Sequence, residues 1–313
     1  MGVPLASGAT VVTLPKFDPG QFLGTLVKYK ASYLPLVPPI IAFLAKHPSV
    51  AGVDLSSVRC IFSGAAPLDA DSQTACEKRL PKAHVRQGYG MTESSPVTHV
   101  APMDEANRPG SIGRPVVATE CRVVDPETGA TLPAGRANVG ELQVRGPQVM
   151  KGYHNNAAAT AATIIAGGWL RTGDLVYRDA DDFYFVVDRL KELIKSKGFQ
   201  VAPAELEGII MGHPLIYDAA VVPRADERAG EVPVAFVVTK AALLTAMGNA
   251  AGASALPPVT AADVQAFVAS KVAEYKRLAA VYFVDTIPKN PSGKILRRVL
   301  RAKVAEMDKA PAK

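Results

Sequence analysis

Apolar residues in the first hundred positions occur in short runs separated by amphipathic stretches. The apolar runs predict buried strands at 8–14, 32–37, 58–62 and 83–87. The amphipathic stretches predict a helix capped by Asp18, a short helix from Pro38 to His47, and a third over 69–80. Four apolar residues of the first helix are expected to share one buried face: Phe22, Leu23, Leu26 and Val27. Strand followed by helix, repeated along the chain, predicts a parallel α/β layer over 1–101.

The pattern from 102 to 187 changes to brief alternating runs between dense turn signals. This texture predicts a small β-barrel or sandwich subdomain. Its predicted strands are 120–124, 140–145, 169–170, 175–178 and 183–187, and an alanine-rich helix is expected at 156–165.

A smaller α+β unit is predicted from 188 to the end of the chain. Its expected elements are helices at 203–211 and after Thr260, strands at 219–222, 232–238 and 280–283, and a last helix from Ser292. Thr260 and Asp263 have the spacing of a capping box, before an apolar face of Val264, Phe267, Val268 and Val272. The alanine- and glycine-rich stretch 241–258 is expected to be a surface insertion.

Composition agrees with an α/β protein of two domains, 1–187 and 188–313. The chain has 313 residues, of which 48% are hydrophobic and 20% charged. The formal charge of +6 concentrates at 189–197 and 289–303 without interleaved aromatic residues. This arrangement disfavours nucleic-acid binding and favours anionic small molecules.

Cysteine usage and hydropathy favour a cytoplasmic protein. Cys60, Cys76 and Cys121 are an odd set without metal-like spacing, which predicts free thiols in a reducing compartment. The longest apolar run, 33–45, is shorter than the roughly 20 residues that a membrane span needs. The sequence after Met1 does not resemble a signal peptide, the last four residues are not a peroxisomal signal, and no protein partner is implied.

Small residues and a Gly-Tyr-Gly segment follow two of the predicted strands. Ligands of open α/β sheets bind beyond the carboxyl ends of the strands, so loops 63–67 and 87–93 are expected to share a cleft. An aromatic ring at Tyr89 opposite Ala65 and Ala66 would form a slot for a planar base. Thr92 could bind a phosphate, and Glu93 could bind a hard cation bridged to phosphates. The simpler alternatives are a tight turn that requires small side chains, and a surface carboxylate.

A second candidate region is the basic stretch after an acidic turn, 168–203. A turn at Thr172–Gly173 would leave the Asp174 carboxylate free to accept hydrogen bonds from vicinal hydroxyls. Lys191, Lys195 and Lys197 are spaced to reach different targets, and Gly198 would let the backbone pass close to a ligand. A ribose followed by a phosphate would suit this arrangement; a solvated basic face is the alternative.

Five strings in this order resemble the acyl-adenylate-forming enzymes, most closely the 4-coumarate:CoA ligases of phenylpropanoid metabolism: SGAAPL, QGYGMTE, TGD, DRLKELIKSKGFQVAPAELE and PSGKILRR. The resemblance implies an ATP-dependent carboxylate:CoA ligase that uses Mg²⁺ and coenzyme A. The substrate would be a 4-coumarate-like, other aromatic or medium-chain carboxylate. Ser94 and Ser95 stand where 4-coumarate ligases typically have alanine and glycine, so a fatty-acyl or luciferase-like member is the alternative.

The resemblance also implies roles for individual residues. A nucleotide site would comprise Gly64, Ala65, Ala66, Pro67, Gln87, Gly88, Tyr89, Gly90, Met91, Thr92, Asp174, Arg189, Lys191, Lys195, Gln200 and Lys294. Glu93 would bind magnesium, and the acyl pocket would comprise Ala65, Gly90, Pro96, Val97 and Val100. Lys294, Lys195, Lys191 and Thr92 would be catalytic. Lys294 would serve adenylation; rotation of a mobile carboxyl-terminal lid about Lys191 would then present Lys195, with Lys197 and Gly198 along the coenzyme A tunnel.

No glycine-rich phosphate loop occurs in the sequence. The resembling enzymes have one upstream, so the chain corresponds to the carboxyl-terminal part of such an enzyme. Two interpretations follow: part of a ligase whose function belongs to a longer chain, or a non-catalytic nucleotide- or CoA-binding fragment.

Overall fold

The computed structural model describes residues 2–103, 105, 108–290 and 293–309, and it confirms the α/β fold class. In these ranges the strands form three five-stranded sheets. The expectations for Met1, for the last four residues, and for Pro291 and Ser292 of the PSGKILRR string lie outside the described residues.

The first sheet is a parallel layer with an antiparallel extension. Its strands lie in the order β1 (Tyr33–Leu36), β2 (Cys60–Ser63), β3 (His84–Gly90), β4 (Val97–Val100), β5 (Arg114–Pro115). Strands β1, β2 and β3 pair in parallel, as predicted, while β4 and β5 are antiparallel. The helices are α1 (Gly2–Ala6), α2 (Pro19–Tyr29), α3 (Pro38–Lys46) and α4 (Ala70–Arg79). Strand β3 extends through Gly90, so part of the predicted loop at 87–93 is strand.

Helix α2 forms as its sequence predicts. The Asp18 carboxylate accepts a hydrogen bond from the Gln21 N–H at 2.8 Å, and Phe22, Leu23 and Leu26 are buried in the core of the first sheet. Val27, in contrast, is 45% exposed, so its predicted place on the buried face is wrong.

The strand predicted at 8–14 is also wrong. These residues are irregular, and nearly all are exposed. A strand needs a neighbour for its ladder hydrogen bonds, and no strand of the described chain pairs with this segment.

The second sheet is antiparallel and open. Its main path is β10 (Tyr184–Arg189), β9 (Trp169–Arg178), β7 (Gly140–Arg145), β6 (Glu120–Val124), and β8 (Ile164–Ile165) pairs with β9. Helix α5 (Ala157–Thr163) precedes β8. The strands expected at 120–124 and 140–145 are confirmed, but β6 and β10 remain at opposite edges, so the described strands do not close the predicted barrel.

The turn predicted at Thr172–Gly173 is replaced by a bulge within one long strand. Strand β9 continues through these residues, while its register with β7 shifts between Glu141 and Gln143. Gly173 has φ of +70°, a conformation that side chains disfavour. The extra residues leave the ladder and rejoin it, so a strand could follow where a turn was expected.

The third sheet carries the carboxyl-terminal part of the chain. Its path is β12 (Phe199–Val201), β11 (Ile194–Ser196), β14 (Gly230–Thr239), β13 (Ile216–Asp226), and β15 (Ala280–Phe283) pairs with β14 in parallel. The helices are α6 (Pro203–Met211), α7 (Lys240–Ala246), α8 (Ala250–Ser254), α9 (Ala261–Ala269) and α10 (Arg297–Lys309). The capping box of Thr260 and Asp263 is present, and Val264 and Val268 are fully buried.

Two expectations in this part need correction. The first concerns only secondary structure: the stretch 241–258 is exposed or half-buried, as a surface insertion would be, but it contains helices α7 and α8, which Thr239 and Asn249 cap. The last helix begins at Arg297, since Lys289 and Ile295 form a β-bridge that holds the preceding loop out of helical geometry.

Candidate active site

The two predicted loops leave the same edge of the first sheet. Strands β2 and β3 are parallel neighbours, with Ser63 opposite Gln87 at their carboxyl ends. The Gln87 side chain accepts a hydrogen bond from the Leu68 N–H and donates one to the Leu68 carbonyl, both at 3.0 Å. The loop of Gly64, Ala65, Ala66 and Pro67 is thereby fastened beside Gly88 and Tyr89.

Tyr89 brings the first two sheets together through a buried carboxylate. Its hydroxyl donates to Asp174 Oδ2 at 2.5 Å, and Arg189 Nε donates to Asp174 Oδ1 at 3.2 Å. Burial raises the pKa of Asp174, and the contacts with Tyr89 and Arg189 oppose the rise. The sequence places these residues far apart, but the structure joins them in one cluster. Asp174 is not free as expected, because both of its oxygens already accept hydrogen bonds.

The bulge in β9 fixes the position of Asp174. The Thr172 hydroxyl donates to the Leu142 carbonyl at 2.7 Å, and the Gly173 N–H donates to Glu141 Oε1 at 3.2 Å. Glu141 is itself buried and pairs with Arg171. Sequence reasoning missed Glu141, because only the register shift brings it to the bulge.

Thr92 and Glu93 lie in a single 3-10 turn directly after β3. The carboxylate of Glu93 accepts a hydrogen bond from the Tyr153 hydroxyl at 2.9 Å, and its carbonyl accepts from the Met150 N–H at 2.8 Å. Tyr153 was not predicted as a site residue. Within the described ranges no cluster of three or more metal-ligating side chains occurs, so Glu93 would hold a cation only together with oxygens from a substrate or water.

The predicted acyl-pocket residues come from three places: Ala65 lies on the loop after β2, Gly90 ends β3, and Pro96, Val97 and Val100 lie just before β4 or within it. Gly88 is opposite Val100 in the ladder. A Cβ at Gly90 would lie 1.9 Å from the Pro96 carbonyl oxygen, and one at Gly88 would lie 2.3 Å from Cζ of Phe62. Position 90 therefore requires glycine, because the clash there is with backbone, whereas a side chain at Gly88 would force the Phe62 ring to move. Phe62, which sequence reasoning missed, places its ring against Gly88 and so borders the predicted pocket.

Lys294 is brought to the Asp174 cluster by the loop before α10. Burial lowers the pKa of Lys294, the positive charges of Arg189 and Arg297 add to this effect, and the carboxylates of Glu192 and Asp174 oppose it. A Cβ at Gly293 would lie 3.0 Å from Cγ of Pro39, so this loop lies against the start of helix α3. The structure thus joins parts of the chain from β3, β9, β10 and the Lys294 loop.

The other predicted lysines lie elsewhere. Lys191 is exposed in a 3-10 turn that connects the second and third sheets. Lys195 and Gln200 face each other across the β11–β12 hairpin, whose turn is formed by Lys197 and Gly198 with φ of 52° and 81°. The Lys197 ammonium pairs with Glu274 at 2.8 Å, within the carboxyl-terminal part. All five of these predicted residues are exposed to solvent.

Two family models match the chain. The AMP-binding enzyme model matches residues 1–154, and the model of the AMP-binding enzyme C-terminal domain matches residues 205–294. Together they include the loop and strand residues of the first sheet and the Lys294 loop.

Curated relatives are 4-coumarate–CoA ligases. A ligase 2 from Oryza sativa is 48% identical over 303 residues, which is 96% of this chain and 50% of the relative. A ligase 1 from Glycine max is 47% identical over 303 residues, which is 95% of this chain and 98% of the relative. The chain spans about half the length of the relatives from rice, petunia and parsley.

Solved structures share the fold over nearly the whole chain. ATP-bound MatB from Rhodopseudomonas palustris gives a TM-score of 0.87 at 30% identity, over 98% of this chain and 57% of that one. The anthranilate CoA ligase AuaEII with anthranoyl-AMP gives a TM-score of 0.81 at 28% identity, over 95% of this chain and 55% of that one.

Among the described residues no helix is long and apolar enough to cross a membrane.

Proposed function

Because the chain belongs to the AMP-binding enzyme family, we propose that it forms the carboxyl-terminal part of an ATP-dependent carboxylate:CoA ligase. The observation that carries the proposal is the hydrogen-bonded cluster of Tyr89, Asp174 and Arg189 beside the ends of β2 and β3. Lys294 is near enough for the charges of this cluster to affect its pKa. The solved relatives bound to ATP or an acyl adenylate add support.

The first half-reaction joins a carboxylate to AMP. A carboxylate oxygen attacks the α-phosphorus of ATP, the bond to the bridging oxygen of the β-phosphate breaks, and pyrophosphate leaves. Charge accumulates on phosphate oxygens in the transition state, and fixed cations and hydrogen-bond donors lower the barrier. Lys294 supplies the cation and Thr92 a donor, while Tyr89, the 64–67 loop and Met91 hold the adenosine.

Magnesium fits this site only as a partner of the triphosphate. Glu93 offers one carboxylate, already oriented by Tyr153, and Mg²⁺ is commonly held by one or two carboxylates plus substrate phosphates. When bound, the ion neutralises phosphate charge. The protein residues orient the nucleotide around it.

The second half-reaction transfers the acyl group to coenzyme A. The thiol sulfur attacks the acyl carbonyl, the bond to the AMP oxygen breaks, AMP leaves, and the thiol proton passes to solvent. We assign this step to a second pose, in which the chain after Lys191 forms a lid that swings about that residue. The boundary expected at 188 is placed at Lys191 here, because Asp188 and Arg189 belong to strand β10 of the second sheet. The hairpin then presents Lys195, Lys197 and Gly198 to the site, while Arg189 and Gln200 hold the nucleotide.

The acyl substrate is proposed to be a 4-coumarate-like or other aromatic carboxylate. The names of the curated relatives support this class. The pocket residues Ala65, Gly90, Pro96, Val97 and Val100 are small or apolar, and the Phe62 ring beside Gly88 limits its size. A medium-chain or fatty acid is the competing substrate.

ATP–pyrophosphate exchange on the chain tests the proposal. Labelled pyrophosphate should enter ATP only when a suitable carboxylate is present, and a panel of cinnamates, benzoates and fatty acids ranks the substrates. The Lys294→Ala chain is the matched control. If no acid supports exchange although the chain binds AMP or coenzyme A, the non-catalytic binding function replaces the ligase function for this chain.

A further inference from the structure

One carboxylate links the second sheet to a helix of the third. Asp188 lies in β10, where it pairs with Leu175 of β9. Its Oδ2 accepts a hydrogen bond from the Ala204 N–H at 2.9 Å. Ala204 is the second residue of α6, so the contact crosses from the second sheet to the amino terminus of a helix in the carboxyl-terminal part.

Helix α6 has no cap of its own. Ala202 precedes it without a side-chain hydrogen bond, and Pro203 has no N–H to donate. The first N–H groups of a helix lack partners within the helix and carry partial positive charge. The carboxylate of Asp188 therefore does the work of a cap from sixteen residues upstream.

The contact is buried and oriented. Asp188 is 5% exposed, and its Oδ1 accepts the Arg189 N–H at 2.6 Å, which fixes the carboxylate plane. Burial raises the pKa of Asp188, whereas the two N–H donors and the nearby Arg297 oppose the rise. Breaking the contact would leave a buried carboxylate and a helix end without their partners, which is unfavourable.

The two partners lie on opposite sides of the proposed pivot. Asp188 precedes Lys191 and is held by the second sheet, whereas Ala204 follows Lys191 and belongs to the third sheet's helix layer. A rotation about Lys191 therefore has to separate them. In the present pose, Lys294 is near enough to Asp174 and Arg189 for their charges to affect its pKa.

We propose that Asp188 is a positioning residue, a latch that caps α6 in the adenylating pose and releases it when the lid turns. The inference rests on the proposed function for the pivot at Lys191 and for the two poses. The latch itself is a property of the chain that can be measured without activity.

The test measures the distance between the two parts of the chain. Spin labels are attached at exposed positions of α4 and α9, through Lys78→Cys and Ala266→Cys in a Cys121→Ser background; Cys60 and Cys76 are buried. We expect the unsubstituted chain to give one main distance. In Asp188→Ala, the population at other distances should be about ten-fold larger than in the unsubstituted chain. This is the size expected for the loss of a capping carboxylate. Asp188→Asn, which keeps an acceptor oxygen, should give a smaller shift.

Asp69→Ala is the matched control. Asp69 caps α4 through the Ser72 N–H at 2.7 Å, but both residues belong to the first layer. Its loss should lower stability without changing the distances. The latch is refuted if Asp188→Ala leaves the distances unchanged, or if Asp69→Ala changes them equally. If the alanine variant does not fold, unchanged distances in Asp188→Asn would refute it instead.

Activity then separates this inference from the proposed function. An active chain should lose pyrophosphate exchange in Asp188→Ala while it still converts preformed adenylate to thioester. Loss of both reactions in equal proportion would show a merely structural role. A chain without exchange activity would overturn the ligase proposal and leave the distance measurement valid.

Discussion

Two lysine-bearing segments of the carboxyl-terminal part occupy opposite environments. Lys294 lies on a loop against the start of helix α3, close enough to Asp174 and Arg189 for their charges to affect its pKa. Lys195 and Lys197 lie on an exposed hairpin, where Lys197 pairs with Glu274. The Lys294 loop thus lies at the candidate site, whereas the hairpin is exposed to solvent.

This difference is what the proposed two-pose mechanism expects of the adenylating pose. Exposed ion pairs such as Lys197–Glu274 contribute little to stability, so they can be exchanged for contacts with another ligand. The Lys294 loop, in contrast, is held by the Gly293–Pro39 packing and by the charges of the site. The comparison therefore predicts that substitutions in the two segments impair different half-reactions.

The largest effect is expected for Lys294→Ala. Removing a charge that meets the developing phosphate charge should lower pyrophosphate exchange by about 10²–10³-fold, as for other fixed transition-state donors. Conversion of preformed acyl adenylate to thioester should be retained. Equal loss of both half-reactions would contradict the assignment of Lys294 to adenylation and of the hairpin to thioester formation.

Lys191→Pro should produce the opposite pattern. Proline fixes φ near −65° and restricts the residue before it, so the turn at 190–192 would lose the rotation that presents the hairpin. Thioester formation should fall by about ten-fold or more. A ten-fold loss corresponds to about 1.4 kcal/mol added to the activation free energy of the step that includes the rotation. Pyrophosphate exchange should change little. Unchanged thioester formation would exclude Lys191 as the pivot.

Alkaline pH should separate the two segments as well. Burial lowers the pKa of Lys294, so its ammonium loses its proton at a lower pH than that of an ordinary lysine. Exchange should therefore decline on the alkaline side as the charge disappears. Lys294→Arg, which stays charged to above pH ~12, should keep residual exchange free of that decline. A decline of the same shape in both chains would assign it to another group.

Much of the first layer could be predicted from local pattern. The Asp18 cap, the three parallel strands and helices α3 and α4 follow from apolar periodicity and capping residues. Two of the failures depend on partners distant in sequence. Residues 8–14 have strand-like composition but no described neighbour, and the Thr172–Gly173 bulge depends on the register with β7.

The sequence predicted residues of the candidate site, but it did not predict the contacts between them. Motif strings identified Tyr89, Asp174, Arg189 and Lys294 as separate residues. Their hydrogen bonds join positions as far apart as 89 and 174, which no local pattern contains. Tyr153, Glu141 and Phe62 escaped notice for the same reason, because each acts through a neighbour that only the fold supplies.

The smallest effect is expected for Gly198→Ala, which tests the hairpin alone. Gly198 has φ of +81°, and a Cβ there would meet no heavy atom within 4 Å. In the present pose the substitution costs only backbone strain, about 1 kcal/mol of unfolding free energy. Pyrophosphate exchange should therefore be unchanged, while thioester formation should fall several-fold, because the added methyl narrows the proposed thiol path.

Gly129→Ala is the matched control for backbone strain. Gly129 has φ of +73° and equally open surroundings, but it lies in a turn of the amino-terminal part. Chemical denaturation should show a similar loss of stability in both variants, and only Gly198→Ala should lower the thioester rate. Because the structure leaves space at Gly198, crowding by the added methyl can arise only in the second pose. If both variants keep the thioester rate, the hairpin does not approach the thiol.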